Sequence, residues 1–381
     1  MKVEQSAYLL KNTPPRITRK DLDSMLLHCV QQQASDITLQ SQEPVIAEIY
    51  GRLYAISARP LLSAEVAEII NEIYGPNGTT QLSSGMDLDT NYEIRPSRFE
   101  RIRFRVNATA CLVNGADGLQ ITLRSIPIDP PSLTDVEIEE EIKQNFAPEQ
   151  GIVVITGSTG SGKSTLLASI IRHIAEQQDS HRKILTYESP IEFVYDNIQT
   201  ASCVISQSEI PRHLPTFAAG VRNALRRKPR LILVGEARDE QTIAAVIDAA
   251  LTGHPVYTTV HSNGVADSVR RMISSFPPEE RHGRALDIIE SMRLVVWQKL
   301  VRTIDGKRTA LREYLVFSQE VRDILIDTPV ELVTAKTREL LHKYGQPIEM
   351  DARKKFEKGI IDERTYNMIV KMSSKTKETM E

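Results

Sequence analysis

Residues 152–171 constrain this chain more than any other segment. Ile152-Val153-Val154-Ile155-Thr156 is a continuous apolar run. It leads directly into Gly157-Ser158-Thr159-Gly160-Ser161-Gly162-Lys163-Ser164-Thr165, after which Leu166, Leu167, Ile170 and Ile171 fall at helical spacing. A strand that feeds a glycine-rich turn and then an amphipathic helix begins a parallel α/β unit. The turn matches G-x-x-x-x-G-K-[ST], a pattern whose glycines let backbone N–H groups turn inward around phosphates at a positive helix N-terminus. Residues 157–165 are therefore the expected nucleotide-binding segment. Lys163 is expected to bridge the β- and γ-phosphates and Ser164 to hold Mg²⁺. No Asn/Thr-Lys-x-Asp guanine-reading element occurs, so ATP is preferred over GTP.

Further apolar runs at 184–187, 231–234 and 256–260 alternate with helical patterns at 163–175, 216–227 and 240–251. Continuous rather than alternating apolar strands indicate a parallel sheet covered on both faces. A last helix is expected over 285–300, because Leu286, Ile289, Met292, Val296 and Leu300 share one helical side. Ligands of such sheets bind beyond the carboxyl ends of the strands. Here those ends carry Glu188, with Glu192 shortly after, Glu236 and His261. Phosphoryl transfer to water needs an oriented nucleophile and stabilised charge. Glu236 is the expected water-positioning residue and a second Mg²⁺ contact, Glu188 a candidate base, and His261 a sensor of the γ-phosphate. His254, just before its strand, fits a turn.

The first part of the chain has a different rhythm. Between residues 101 and 108, Ile102, Phe104, Val106 and Ala108 alternate with Arg101, Arg103 and Arg105, and residues 119–123 repeat the alternation. Helical patterns at 20–30 and 64–74, the second capped by Ser63, accompany these half-buried strands, so a small α+β domain with an antiparallel sheet is expected. Ile126-Pro127-Ile128-Asp129-Pro130-Pro131 cannot continue a helix or a central strand. The expected organisation is an N-terminal domain at 1–126, a linker at 127–134, an ATPase domain at 135–318 and a charged helical tail at 319–381. That tail should break near Gly359 and fray from residue 373.

With 381 residues, more than one core is the expectation. Basic and acidic residues number 47 and 50, so no global field advertises nucleic acid or an anionic membrane. The basic run 226–230 ends a helix, where cations suit the dipole, and no direct nucleic-acid binding is expected. There is no apolar run of transmembrane length and no apolar signal segment within residues 1–20, so no membrane insertion is expected. The three cysteines, Cys29, Cys111 and Cys203, show no metal or disulfide spacing, which fits a reducing compartment.

The motifs at 157–164, Tyr187-Glu188-Ser189-Pro190-Ile191-Glu192-Phe193, the segment 231–239 with its Gly-Glu-Ala-Arg-Asp, and the segment from Thr252-Gly253-His254 to Thr259-Val260-His261-Ser262 occur in this order. Together they resemble the Walker A, Asp box, Walker B and His box of the secretion ATPase superfamily of type II and type IV machines. The PilT-like branch fits best, and within it the DotB/TraJ-type ATPases of type IVB secretion and conjugation; the tetracysteine element of type II secretion and pilus-extension ATPases is missing. Ala34-Ser35-Asp36-Ile37 followed by Gly51-Arg52-Leu53 is similar to the family's PAS-like N-terminal domain. Ser189 departs from the family's usual aspartate.

The resemblance implies a RecA-like motor domain, a homohexameric ring with ATP next to the adjacent subunit, and Arg105 and Arg124 as candidate arginine fingers. It further implies a cytoplasmic protein, peripherally associated with other components of a secretion or conjugation complex at the inner membrane, that hydrolyses ATP to drive motion of one domain against the other. A pilus-retraction motor, a nucleic-acid translocase and a nucleotide-gated assembly factor are the alternatives.

Overall fold

The computed structural model describes residues 8–98, 100–126 and 128–378, with side chains to residue 372. Pro127, the first residue of the expected linker, lies outside this description. The chain divides into two compact units, one formed by Met1–Asp129 with Ser189–Val194 and the other by Pro130–Glu188 with Tyr195–Glu381.

The N-terminal unit contains α1 (Arg19–Gln31), β1 (Ala34–Gln40), β2 (Ile46–Ile49), β3 (Arg52–Ala55), α2 (Ser63–Tyr74), α3 (Gly78–Ser83), β4 (Leu88–Ile94), β5 (Ile102–Val113) and β6 (Ala116–Ile126). Its sheet has the order β3-β2-β1-β6-β5-β4, and every neighbouring pair is antiparallel. The expected alternation is present: Phe104, Val106, Ala108, Ile121 and Leu123 are buried in one core with Leu26, Ile69 and Ile70 of the helices. Ser63 is the first helical residue of α2 rather than its cap. Leu62 holds the cap position, and its N–H donates to Glu65 at 2.8 Å.

The second unit contains α4 (Glu140–Asn145), β7 (Gly151–Thr156), α5 (Lys163–Glu176), β8 (Lys183–Glu188), β9 (Val204–Glu209), α6 (Phe217–Leu225), β10 (Leu231–Val234), α7 (Glu240–Leu251), β11 (Pro255–Val260), α8 (Val265–Ser274), α9 (Arg281–Ser291), β12 (Met292–Arg302) and β13 (Arg308–Val316). Its sheet has the order β13-β12-β7-β11-β10-β8-β9, parallel throughout except for β13. All residues of β7, β10 and β11 are buried, as continuous apolar runs require. Because these strands are parallel, their carboxyl ends share one edge.

The tail folds as α10 (Gln319–Ile326), α11 (Val333–Tyr344), α12 (Ile348–Glu357) and α13 (Glu363–Glu378). The break at Gly359 is as expected. Helix α13 runs past residue 373, and residues 379–381 lie outside the description.

One expected helix is in part a strand. The helix expected over 285–300 stops at Ser291, whose hydroxyl donates to the carbonyls of Asp287 and Ile288. Residues 292–302 form a strand between β7 and β13. The apolar positions satisfy a helical period, but Leu294-Val295-Val296-Trp297 is continuous and rich in β-branched residues, and pairing on both sides decides in favour of strand.

Candidate functional site

The loop after β7 is wound tightly. Gly157 adopts φ +147°, Gly160 +75° and Gly162 +84°, values that side chains rarely allow. A Cβ on Gly157 would lie 2.4 Å from the carbonyl oxygen of Gln298 and 2.5 Å from Ser161 Oγ; one on Gly162 would lie 2.8 Å from Gln298 Nε2. The loop therefore closes against β12 with no room to spare. The Lys163 ammonium folds back over it, donating to the carbonyls of Gly157 (3.0 Å) and Ser158 (2.9 Å). Ser161 is buried with its hydroxyl unpartnered, while Ser164 is exposed at the start of α5 and Thr165 half-buried behind it. Thr159 and Ser158 lie on the exposed rim. A cradle of glycines capped by an ammonium at a helix N-terminus fits a polyphosphate.

The other strand ends meet this loop in part. His261 Nε2 and Glu236 Oε1 are 3.6 Å apart, and Arg238 lies 3.2 Å from the other oxygen of Glu236. Burial and the neighbouring Lys163 charge push the His261 imidazole below its ordinary value, against the opposing pull of Glu236. His261 also lines one cavity with Gly157 and Ser158 of the phosphate loop. Backbone bonds hold the arrangement, since Gly235 N–H donates to Tyr187 O (2.7 Å) and Ala237 N–H to Thr259 O (2.9 Å). Thr156, at the end of β7, donates to Val260 O and contacts Ser262 Oγ, each at 2.7 Å.

Glu188 stands on the same edge, on β8, which β11 and β10 separate from β7. Its carboxylate accepts from Thr186 Oγ1 at 2.6 Å and Gln207 Nε2 at 3.2 Å. His254 is in the turn before β11, where its ring meets the carbonyl of Ala249 at 3.1 Å.

Arg105 and Arg124 belong to the N-terminal unit. They are register partners on β5 and β6, and each is neutralised locally, Arg105 by Asp89 at 2.6 Å and Arg124 by Asp36 at 2.8 Å. Each keeps half or more of its side chain exposed, 50% and 67% respectively. Glu192, carried in the same unit by residues 189–194, offers its carbonyl to Arg103 at 3.3 Å.

Cavities open on both sides of the loop. One of about 540 Å³ runs beside Gly162, Thr165 and Leu166 to Ile304, Lys307 and Ile360, which suits a nucleoside next to the phosphate cradle. The other, about 360 Å³, is bounded by Gly157, Ser158, His261, Asn263, Arg270 and Arg271. The sequence reading missed Arg270 and Arg271 because α8 was not foreseen, although their position nine and ten residues past His261 on a helical pattern was a signal. It also missed Gln298 and Arg312, whose strands were misread or unseen. Among the described residues no cluster of three His, Cys, Asp or Glu side chains is poised to hold a metal ion. A cation here would take its remaining oxygens from phosphate and water, the usual habit of Mg²⁺.

The loop, strand order and edge residues together have known counterparts. A family profile described as Type II/IV secretion system protein matches residues 14–337. The chain belongs to this family. It is 60% identical to the Legionella pneumophila ATPase DotB, whose crystal structure matches with a TM-score of 0.91 over 95% of this chain and 98% of that one. The pilus retraction motor PilT with bound ADP is 25% identical, with a TM-score of 0.78 over 91% of this chain and 96% of that one. The type IV pilus PilT ATPase of Pseudomonas aeruginosa is 32% identical over 310 residues, 81% of this chain and 86% of that relative. The resemblance and fold class read from the four motifs are thus borne out, and the protein is a nucleotide-binding ATPase of the secretion and pilus group. Among the described residues no helix is long and apolar enough to cross a membrane.

Proposed function

We propose that the protein works as a homohexameric ring that hydrolyses ATP to ADP and phosphate, powering assembly or operation of a type IVB secretion or conjugation apparatus from the cytoplasmic face of the inner membrane. The observation that carries the hydrolytic part is the meeting of Glu236 and His261 at 3.6 Å beside the Lys163 loop. The likeness to DotB, at 60% identity over nearly the whole chain, supports the type IVB reading over pilus retraction.

In this reading, the backbone of residues 157–165 cradles the phosphates and Lys163 exchanges its loop carbonyls for phosphate oxygens. Glu236 orients the attacking water and, with His261, lies where the terminal phosphate ends. Glu188, braced by Thr186 and Gln207, is the alternative base. Mg²⁺, held by Ser164 and Glu236, would supply charge neutralisation of the phosphates. Arg105 and Arg124 take the role of charge-stabilising arginines, which requires each to leave its aspartate. The division into a domain at 1–126, a linker, an ATPase domain and a tail is the proposed mechanical layout.

Steady-state turnover of protein fractionated by size tests the proposal. Hydrolysis confined to ring-sized fractions and abolished by Glu236→Gln is expected. Turnover by monomers would sink the shared site and the role of the arginines.

A further inference from the structure

Beneath the phosphate loop lies a chain of polar contacts that hydrolysis does not use directly. Gln298 on β12 and Arg312 on β13 are register partners, 3% and 1% exposed. Gln298 Nε2 donates to the carbonyl of Ser161 in the loop at 2.7 Å, and Arg312 Nε donates to Gln298 Oε1 at 2.8 Å. The rest of the guanidinium is spent on residues just after the expected linker: Nη1 donates to Glu137 O and Glu139 Oε2, both at 2.9 Å, and Nη2 to Val136 O at 2.7 Å. The Arg312 backbone N–H donates to Asp351 Oδ2 of α12 at 2.9 Å.

We infer that Arg312 is a positioning residue for the nucleotide site: it orients Gln298, which holds the Ser161 turn, and so ties the phosphate loop to residues 136–139 and to the C-terminal tail. A free glutamine amide has two orientations; an arginine donor at its oxygen leaves its nitrogen facing the loop. A rotated amide would turn Oε1 toward the Ser161 carbonyl, two acceptors face to face, and so release the loop. The tail enters the same unit of structure a second time, where Lys355 donates to Thr309 Oγ1 at 3.0 Å and Ile304 N–H to Ile360 O at 3.0 Å, beside the nucleoside cavity. Helix α12 and the turn after it thereby border the nucleotide site. The inference rests on the reading of residues 157–165 as that site.

A double-mutant cycle in the full-length protein tests it, with fluorescent ADP binding as the readout and the thermal midpoint of nucleotide-free protein as the control. Gln298→Leu removes the hold on the loop. Arg312→Lys keeps the charge beside Glu139 but cannot serve Gln298 and the three other acceptors together. Each variant should weaken ADP binding about tenfold, the scale of one lost buried hydrogen bond to a charged or loop partner. In the Gln298→Leu background, Arg312→Lys should add less than about twofold, because the two act in series. Additive losses of about a hundredfold, or unchanged affinity with only a lowered thermal midpoint, would overturn the relay while leaving the site intact. Wild-type protein that bound no ADP would overturn the site and the relay with it.

Discussion

Glu236 Oε1 and His261 Nε2 stand 3.6 Å apart at the ends of the adjacent parallel strands β10 and β11. The carboxylate is the one nearby group that raises the imidazole's proton affinity among influences that lower it: burial first, then Lys163, Arg271 and Arg238. The folded ring therefore binds its proton less readily than the unfolded one. Its contribution to stability is present above the ordinary value of 6.5 and is lost as pH falls through the lower folded value. Replacing Glu236 by Gln should lower the His261 pKa further, and replacing Lys163 by Met should raise it. Titration of the labelled imidazole by NMR reads both; a rise in the Glu236→Gln protein would show that the pair does not interact as described.

Loss of the Glu236 carboxylate should cost turnover rather than binding. A positioned base or water-orienting group contributes about 10²–10⁴-fold in rate. Glu236→Gln is expected to lower kcat within that range while ADP affinity stays within about threefold, since the phosphate cradle is untouched and the amide keeps one oxygen for the cation. Phosphate release and fluorescent ADP titration separate the two. A matching loss in both would instead make Glu236 part of the binding surface.

The glycines of the loop are not equivalent. At Gly157 a methyl group meets a backbone oxygen at 2.4 Å, whereas at Gly160 nothing lies within 4 Å and only φ +75° opposes substitution. Gly160→Ala should cost about 1 kcal/mol, the penalty of a left-handed conformation. Gly157→Ala should cost more, about 2–4 kcal/mol, and abolish stabilisation by ADP, because β12 and the loop must separate. Urea unfolding with and without ADP checks the order; equal costs would mean that the loop and β12 are not in fixed contact.

Much of this site was legible along the chain because its chemistry sits at the ends of continuous apolar strands. Ile152–Thr156, Leu231–Val234 and Val256–Val260 announce themselves by composition, and whatever follows a buried parallel strand is delivered to the shared edge. The strand 292–302 was hidden because its apolar residues also satisfy a helical period, and with it went Gln298, whose role depends on facing Arg312 across a pairing no local pattern reveals. Arg312 itself reads as one basic residue among many until the fold spends its donors on Val136, Glu137 and Glu139. The tail's part was illegible for the same reason: Ile360 reaches Ile304 only through tertiary structure.

Glu313 supplies the last prediction. It lies on β13 beside Arg312, on the wall of a cavity of about 820 Å³ that also touches Ser158, Trp297 and the tail residues Arg338 and Glu349. Burial pushes its carboxyl from 4.5 up to about 7; the Val265 N–H, donating at 2.8 Å, opposes the rise, and Glu349 adds to it. The folded state thus keeps a proton that the unfolded chain has released. The associated stability is full below pH 4.5 and is lost as pH rises through about 7. Discounted for partial exposure to the cavity, the swing should be about 2 kcal/mol. Glu313→Gln, which cannot lose a proton, should therefore gain stability relative to wild type on moving from about pH 5 to about pH 8, by an amount of that order. Urea unfolding of both proteins at the two pH values measures it. A difference that stays constant between them would mean that Glu313 is ionised throughout, with the Val265 N–H and the cavity's water outweighing burial.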